Sequence, residues 1–370
     1  MTFEFAIFWV LTSAVAAAFL SWILAFSTRR WAWKYGALSY PGGRRIHETA
    51  MPQWGGLGIL LAALPLVGLA QAFGFLENVK LQPLQITGFL VGLLILLAGG
   101  LIDDRTPLKP GVQILFPIAA ALVVMLTGTS ISLVSSPLGS HPLSLNWWSG
   151  GIGPFAISFP ADILTFVWLM LATYTTKILD GLDGLVDGLA VIGAGLVGAL
   201  SLSTAYFQPA VAILSGIVGG SFLGFLPHNR HPAKQYLGEA GALMAGFSLG
   251  VLAILSSAKI AIALAVLAIP IADLVLVVMG RIRRGAPWYK GDNTHLHFRL
   301  MKAGVPHRLA VLVYWGVALF AGVLALGLQT RGKIFLVVTL VVVAALASYV
   351  AGTRADKAGV QGNASGAKNR

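Results

Sequence analysis

Long apolar runs, each closed by a short polar or glycine- and proline-rich stretch, repeat along almost the whole chain. An α-helix rises 1.5 Å per residue and crosses a ~30 Å hydrocarbon core in about 20 residues. On that scale the pattern predicts eleven membrane-spanning helices, at 5–27, 55–75, 86–102, 112–128, 161–177, 185–203, 209–226, 240–256, 259–280, 308–328 and 333–351. The first run has no basic stretch before it and is followed by Arg29 and Arg30, the pattern of a signal anchor with its amino end outside. An odd number of spans then puts the carboxyl end on the cytoplasmic side. With that orientation, 21 of the 25 Lys and Arg fall on the inner face, counting Lys177 and Arg308 at span ends. The others are Lys80, Lys259, Arg331 and Lys333, an asymmetry that supports the topology. The stretch 129–160 has no Lys or Arg and reads as an outer-face loop, with Trp147 and Trp148 at headgroup level. The expected fold is an all-α polytopic membrane protein. It has one integral-membrane catalytic domain over 1–351 and a disordered basic cytoplasmic tail over 352–370.

Composition agrees with this class. The chain is 57% hydrophobic and 10% charged, which no ordinary soluble domain matches. The net charge of +12 would point to nucleic acid in a soluble protein; here its distribution reports topology, and nucleic acid is not expected as a partner. The absence of cysteine excludes disulfides, thiolate zinc sites and a cysteine nucleophile.

The predicted inner loops collect nearly all the chemistry. They carry Arg44, Arg45 and His47, then Asp103 and Asp104, then Lys177, Asp180 and Asp183 with their glycines. Asn229 and Glu239 follow, and then His295, His297 and Arg299. Carboxylates three apart share a helix face, so Asp180 and Asp183 read as a metal and phosphate site at the membrane surface, or as a polar turn between two helices. Hard carboxylate oxygens suit a divalent cation that neutralises a diphosphate, while Arg, Lys and His bind the remaining phosphate charge. Each piece has a plainer alternative. Asp103 and Asp104 could simply end a span, the arginines could be topology anchors, and histidines two apart do not share a helix face. Asp273, inside the ninth predicted span, is an intramembrane carboxylate and suits either a functional role or a helix partner. A transporter is disfavoured because the ionisable residues crowd one face, and transporter sites lie near the midplane.

Taken together and in order, these motifs resemble the polyprenyl-phosphate N-acetylhexosamine-1-phosphate transferases, the membrane superfamily of glycosyltransferase family 4. The carriers are Arg44-Arg45-Ile46-His47 with Gly55-Gly56, Gly100 to Arg105, Asp180-Gly181-Leu182-Asp183-Gly184-Leu185, Asn229 to Gly241, and Pro270 to Asp273 with Asp292 to His297. The eleven-span layout is most similar to the N-acetylglucosamine branch. The resemblance implies transfer of N-acetylglucosamine-1-phosphate from UDP-N-acetylglucosamine to polyprenyl (undecaprenyl) phosphate, releasing UMP and starting a cell-envelope glycan. It implies Mg2+, with Mn2+ as a substitute, and an active site on the cytoplasmic face of the cell (inner or plasma) membrane. A homodimer is compatible with it. It assigns catalysis to Asp103, Asp104, Asp180 and Asp183, and metal to Asp180, Asp183 and Glu239. Substrate contacts fall to Arg44, Arg45, His47, Lys177, Asn229, His295, His297 and Arg299. Several motif positions depart from the family pattern. The family's asparagine is Lys177 here, its lysine and glutamine after the aspartate pair are Gln113 and Pro117, and its GDxGS aspartate and serine are Glu239 and Ala242. Asn293 and Phe298 replace an arginine and a histidine. These departures keep open a catalytically impaired homologue that binds lipid phosphate or a partner, and a transferase for another UDP-sugar.

Overall fold

The computed structural model describes residues 2–41, 49–77, 81–136, 141–153, 155–204, 206–256, 260–287 and 294–367. Arg44, Arg45 and His47 lie outside these. In chain order the elements are α1 (Phe3–Tyr35), β1 (Leu38–Ser39), β2 (Met51–Pro52), α2 (Gly55–Ala72), α3 (Pro83–Arg105), α4 (Pro110–Gln113) and α5 (Leu115–Leu126). Next come β3 (Leu133–Val134), β4 (Leu143–Ser144), β5 (Asn146–Ile152), β6 (Phe155–Pro160), α6 (Ala161–Leu179), α7 (Leu185–Leu202), α8 (Pro209–Asn229) and α9 (Gly238–Leu255). The chain ends with α10 (Ile260–Val266), α11 (Ala268–Arg283), α12 (Leu296–Lys302), α13 (His307–Gly327) and α14 (Thr330–Ala367).

The fold is a mostly helical, polytopic membrane protein. Among the described residues nine helices are long and apolar enough to cross a membrane, or ten if the bent pair α10–α11 is one span. Eleven were expected, and the difference lies in two segments. The expected span at 112–128 is split into α4 and α5, and the one at 259–280 into α10 and α11, which meet at 70°. Both breaks sit just before a proline. Pro117 cannot donate to the carbonyl of Gln113, nor Pro270 to that of Val266, so each helix loses its hydrogen bond at the break. The expected outer loop also gains structure. Two small antiparallel hairpins, β3–β4 and β5–β6, occupy it, with Trp147 and Trp148 exposed. The stretch from 352, expected as a tail, begins inside α14.

Small residues let the helices approach closely. Gly216, Gly220 and Gly224 form one stripe on α8, and a Cβ on Gly220 or Gly224 would fall on the carbonyl oxygens of Ala14 and Ala18 in α1. The centre of the molecule is α9, buried along nearly its whole length. At its amino end, Gly241 packs against the backbone of Gly56 in α2, and Ala240 packs against Gly100 in α3. These contacts bring the end of α3, with Asp103 and Asp104, onto the start of α9, with Glu239. The loop before α9 is sewn to α2. Tyr236 donates its N–H to the carbonyl of Pro52, and Gly55 and Gly56 donate to those of Tyr236 and Leu237. Two otherwise unpaired donors of the first turn of α2 are satisfied in this way.

Candidate active site

At one end of the bundle the loops enclose a cavity of about 1010 Å³. Its wall includes Asp103, Asp104, Asp180, Asp183 and Glu239, together with Lys177 and Asn229. Seven of the expected site residues, from α3, α6, the α6–α7 turn, α8 and α9, therefore meet in one place. Tyr40 and Thr49, the described residues near either end of 42–48, also line the cavity.

Asp180 and Asp183 do not share a helix face. Helix α6 ends at Leu179 and α7 begins at Leu185, so both carboxylates sit in the connecting turn. Gly184 takes φ +77° there, a left-handed conformation that glycine adopts without strain. Burial, reinforced by the charges of Asp187, Glu239, Asp104 and Asp183, holds the Asp180 carboxyl well above the ordinary carboxylate range. Asp183 accepts from His231 Nδ1 at 2.9 Å and from the Ala233 N–H at 3.2 Å.

Around the aspartate pair runs a continuous polar chain. Asp103 Oδ1 accepts from the Leu108 N–H at 2.7 Å and from Gln113 Nε2 at 2.8 Å. Gln113 Oε1 accepts from Lys177 Nζ at 3.1 Å, and Lys177 is paired with Glu239 Oε1 at 2.5 Å. The N–H of Glu239 donates to Asp104 Oδ1 at 2.9 Å. Gly238 makes this last approach feasible: its φ is +78°, and a Cβ there would press on the Asp104 carboxylate.

Three expected contact residues sit elsewhere. His295 and His297 are buried behind the α6–α7 turn and do not line the cavity. His295 Nδ1 lies 2.9 Å from Asp273, whose other oxygen accepts the Leu296 N–H at 2.8 Å. Asp273 thus holds the start of α12 and is itself buried. The ring of His297 abuts Gly181, and burial pushes its imidazole down to about 4. Arg299 is turned away: its guanidinium donates to the carbonyls of Thr294 and Ser348, tying α12 to α14. The resemblance implied substrate contacts for these three residues; here α12 packs under the α6–α7 turn, and Asp273, Gly181 and the carbonyls of Thr294 and Ser348 take up their side chains.

Four participants were not singled out as site residues from sequence. Gln113 was noted only as a departure. Asp187, fully buried in the first turn of α7, accepts from Asn229 Nδ2 at 2.6 Å, and so fixes that asparagine in the wall. Its signal was available, since it follows the DGLDGL turn directly. His231 and His307 stack at 4.1 Å between ring centres and, with Asp183, place one ligand atom each within 4.8 Å of one another. They are far apart in sequence, and only the fold joins them. Among the described residues this Asp-His-His group at the cavity edge is the one set of three such side chains whose ligand atoms come close enough together to hold a cation.

Residues 86–257 match the model of Glycosyl transferase family 4. The chain is 30% identical over 338 residues to a Bacillus subtilis protein named "Probable undecaprenyl-phosphate N-acetylglucosaminyl 1-phosphate transferase", covering 89% of this chain and 88% of that one. It is 28% identical over 365 residues to the decaprenyl-phosphate N-acetylglucosaminephosphotransferase of Mycobacterium tuberculosis, covering 91% and 87%. It is 27% identical over 332 residues to the undecaprenyl-phosphate alpha-N-acetylglucosaminyl 1-phosphate transferase of Escherichia coli K12, covering 85% and 84%. With its motif carboxylates gathered in one cavity and its similarity extending over nearly the full length of these relatives, the chain belongs to glycosyl transferase family 4, in the branch of the polyprenyl-phosphate N-acetylglucosaminyl 1-phosphate transferases.

Proposed function

We propose that this protein transfers N-acetylglucosamine-1-phosphate from UDP-N-acetylglucosamine to polyprenyl phosphate. An oxygen of the acceptor phosphate attacks the sugar-bearing phosphorus, the bond from that phosphorus to the UMP oxygen breaks, and UMP leaves. The observation that carries the reading is the convergence of five carboxylates, Lys177 and Asn229 in one cavity at the bundle end. Phosphoryl transfer asks mainly for alignment and charge neutralisation, and this lining supplies both kinds of group. Asp103 and Asp104 orient the acceptor phosphate; Asp180 and Asp183 face the donor diphosphate; Lys177 balances its charge; Asn229, fixed by Asp187, contributes to the nucleotide wall.

The residues expected to hold a hard divalent cation such as Mg2+ are Asp180, Asp183 and Glu239, which offer carboxylate oxygens; burial, reinforced by the neighbouring carboxylates, raises the proton affinity of Asp180, which a bound cation would lower. Such an ion, when bound, neutralises the diphosphate of the donor. Lys177 already balances Glu239, so a cation recruiting Glu239 must displace it. The Lys177–Glu239 pair is also the observation that favours the second reading, a catalytically impaired homologue. The eleven-span topology, with the amino end outside and the site on the cytoplasmic face of the inner or plasma membrane, is supported by the Lys and Arg distribution. The test is transfer of label from UDP-N-acetylglucosamine into butanol-extractable lipid, with added polyprenyl phosphate and Mg2+, beside an Asp180→Asn variant. Labelled lipid dependent on metal and Asp180 supports the proposal. Labelled lipid unaffected by Asp180→Asn overturns the site, and silence with every UDP-sugar supports the impaired reading.

A further inference from the structure

Beside the reaction cavity, across the His231–Pro232 segment, lies a second hollow of about 480 Å³. Its floor is apolar, formed by Leu223, Leu226 and Pro227 of α8. Its rim is cationic, formed by Arg230, Lys234 and Arg308, all exposed. Among the described residues none of these three side chains has an acidic partner. Leu223 is 48% exposed and stands seven residues before Arg230, about 10 Å along the helix axis. The apolar surface therefore runs from the cations towards the middle of the bundle. Helix α13 adds its positive end here, with no acidic residue in its first turn.

Unpaired cations at the end of an apolar strip on a membrane-spanning helix match the two parts of an anionic amphiphile. We propose that this hollow binds the phosphate of an anionic phospholipid from the surrounding leaflet. One acyl chain lies against Leu223 and Leu226, and the headgroup phosphate rests between Arg230, Lys234 and Arg308. The site is separate from the reaction cavity but shares His231 and Pro232 with its wall. His231 in turn holds Asp183. A bound headgroup packs against the outer side of His231 and favours the orientation in which it reaches Asp183. The binding itself is independent of the reaction proposed above; only this link to Asp183 rests on it.

The test uses the full chain in nanodiscs of phosphatidylcholine alone or mixed with phosphatidylglycerol, followed by native mass spectrometry of retained lipid. Two variants are compared: R230Q/K234Q/R308Q and the charge-keeping R230K/K234R/R308K. The protein should retain phosphatidylglycerol in preference to phosphatidylcholine. The glutamine variant should bind it roughly tenfold or more weakly, and the charge-keeping variant should retain it. Unfolding temperatures in phosphatidylcholine alone show whether the variants fold alike; R308Q alone, on a different helix, provides a milder version with a severalfold loss. Equal retention by the protein and the glutamine variant overturns the site. So does displacement of the lipid by polyprenyl phosphate alone, which would make the hollow an acceptor site. Phosphatidylglycerol should also raise transferase turnover of the protein and not of the glutamine variant. If binding follows the charges but turnover does not, the link to Asp183 is wrong; if no variant or condition yields transfer, the proposed reaction fails and the binding result stands.

Discussion

Replacing Lys177 by Asn should lower stability without metal and strengthen metal binding at the same time. Lys177 Nζ and Glu239 Oε1 are 2.5 Å apart, and the two side chains are only 20% and 17% exposed. A hydrogen bond between charged partners is worth about 1.5–3 kcal/mol net. A divalent cation that takes Glu239 as a ligand gives up this interaction first. At about 1.4 kcal/mol per factor of ten, the pair raises the half-saturating Mg2+ concentration by about ten- to hundredfold. Lys177→Asn removes that competition and should lower half-saturation by the same factor. Its plateau rate should fall, because in the proposed reaction Lys177 also balances the donor diphosphate. Stability in EDTA should move the other way. Breaking a buried pair costs about 3–5 kcal/mol, and the partial exposure here scales this down to about 1–3 kcal/mol. UMP release against Mg2+ concentration, and thermal unfolding in EDTA, read the two effects separately. A folded variant with half-saturation within twofold of the parent would refute the competition, and an unchanged unfolding temperature would refute the pair.

Three further outcomes follow from particular residues. Asp180→Asn should abolish transfer, by about a hundredfold or more, yet raise the unfolding temperature in EDTA at pH 8. A carboxyl whose folded pKa is raised contributes stability below its ordinary value of 3.8 and loses it as pH rises through the folded value, so the gap between parent and variant should close at low pH. For His297, lowered from 6.5 to about 4, the sign is opposite: the unfolded chain takes up the proton first as pH falls. Relative to His297→Leu, the parent should lose about 3 kcal/mol between pH 6.5 and 4, measured by denaturant or thermal unfolding. Gly220→Leu should cost about 2 kcal/mol or prevent folding, because its Cβ meets the Ala14 carbonyl; Gly68→Ala, inside α2 with open space around it, should leave the unfolding temperature unchanged or slightly raised.

The bundle was legible in sequence because a hydrocarbon core demands long apolar runs, and such runs leave little ambiguity about which segments are helical. The two broken helices were less visible. Pro117 and Pro270 were in plain sight, but hydropathy averages over a window and does not register a missing hydrogen bond. The carboxylates of the cavity were legible because Asp103, Asp104, Asp180, Asp183 and Glu239 all stand at the ends of apolar runs on one predicted face and recur in the order of a known motif set, although each alone had a plainer reading. Residues whose role depends on long-range packing were misread or missed. Arg299 binds a carbonyl of α14, 49 residues away, and His231 meets Asp183 from 48 residues away. No local pattern encodes either pairing.

The departures from the family pattern become intelligible once their contacts are known. Substitutions accumulated after loss of function would be expected at unconnected positions. Gln113, Lys177 and Glu239 instead form one chain of hydrogen bonds that closes on both Asp103 and Asp104. The family pattern has a lysine where Gln113 stands and an asparagine where Lys177 stands. Here the amide and the ammonium have exchanged places across a 3.1 Å hydrogen bond, so the net charge of these two positions is unchanged. Glu239 keeps its carboxylate with one more methylene, which lets it reach the relocated ammonium. Contacting residues in one network couple by about 0.5–3 kcal/mol. Lys177→Asn alone removes the cation, and Gln113→Lys alone places two ammonium groups side by side; the double variant restores one cation and one amide. Its turnover should therefore exceed the product of the two single effects by about threefold to a hundredfold. If the double variant equals that product, Gln113 and Lys177 act independently, the exchange is a coincidence of contact, and the impaired reading gains ground.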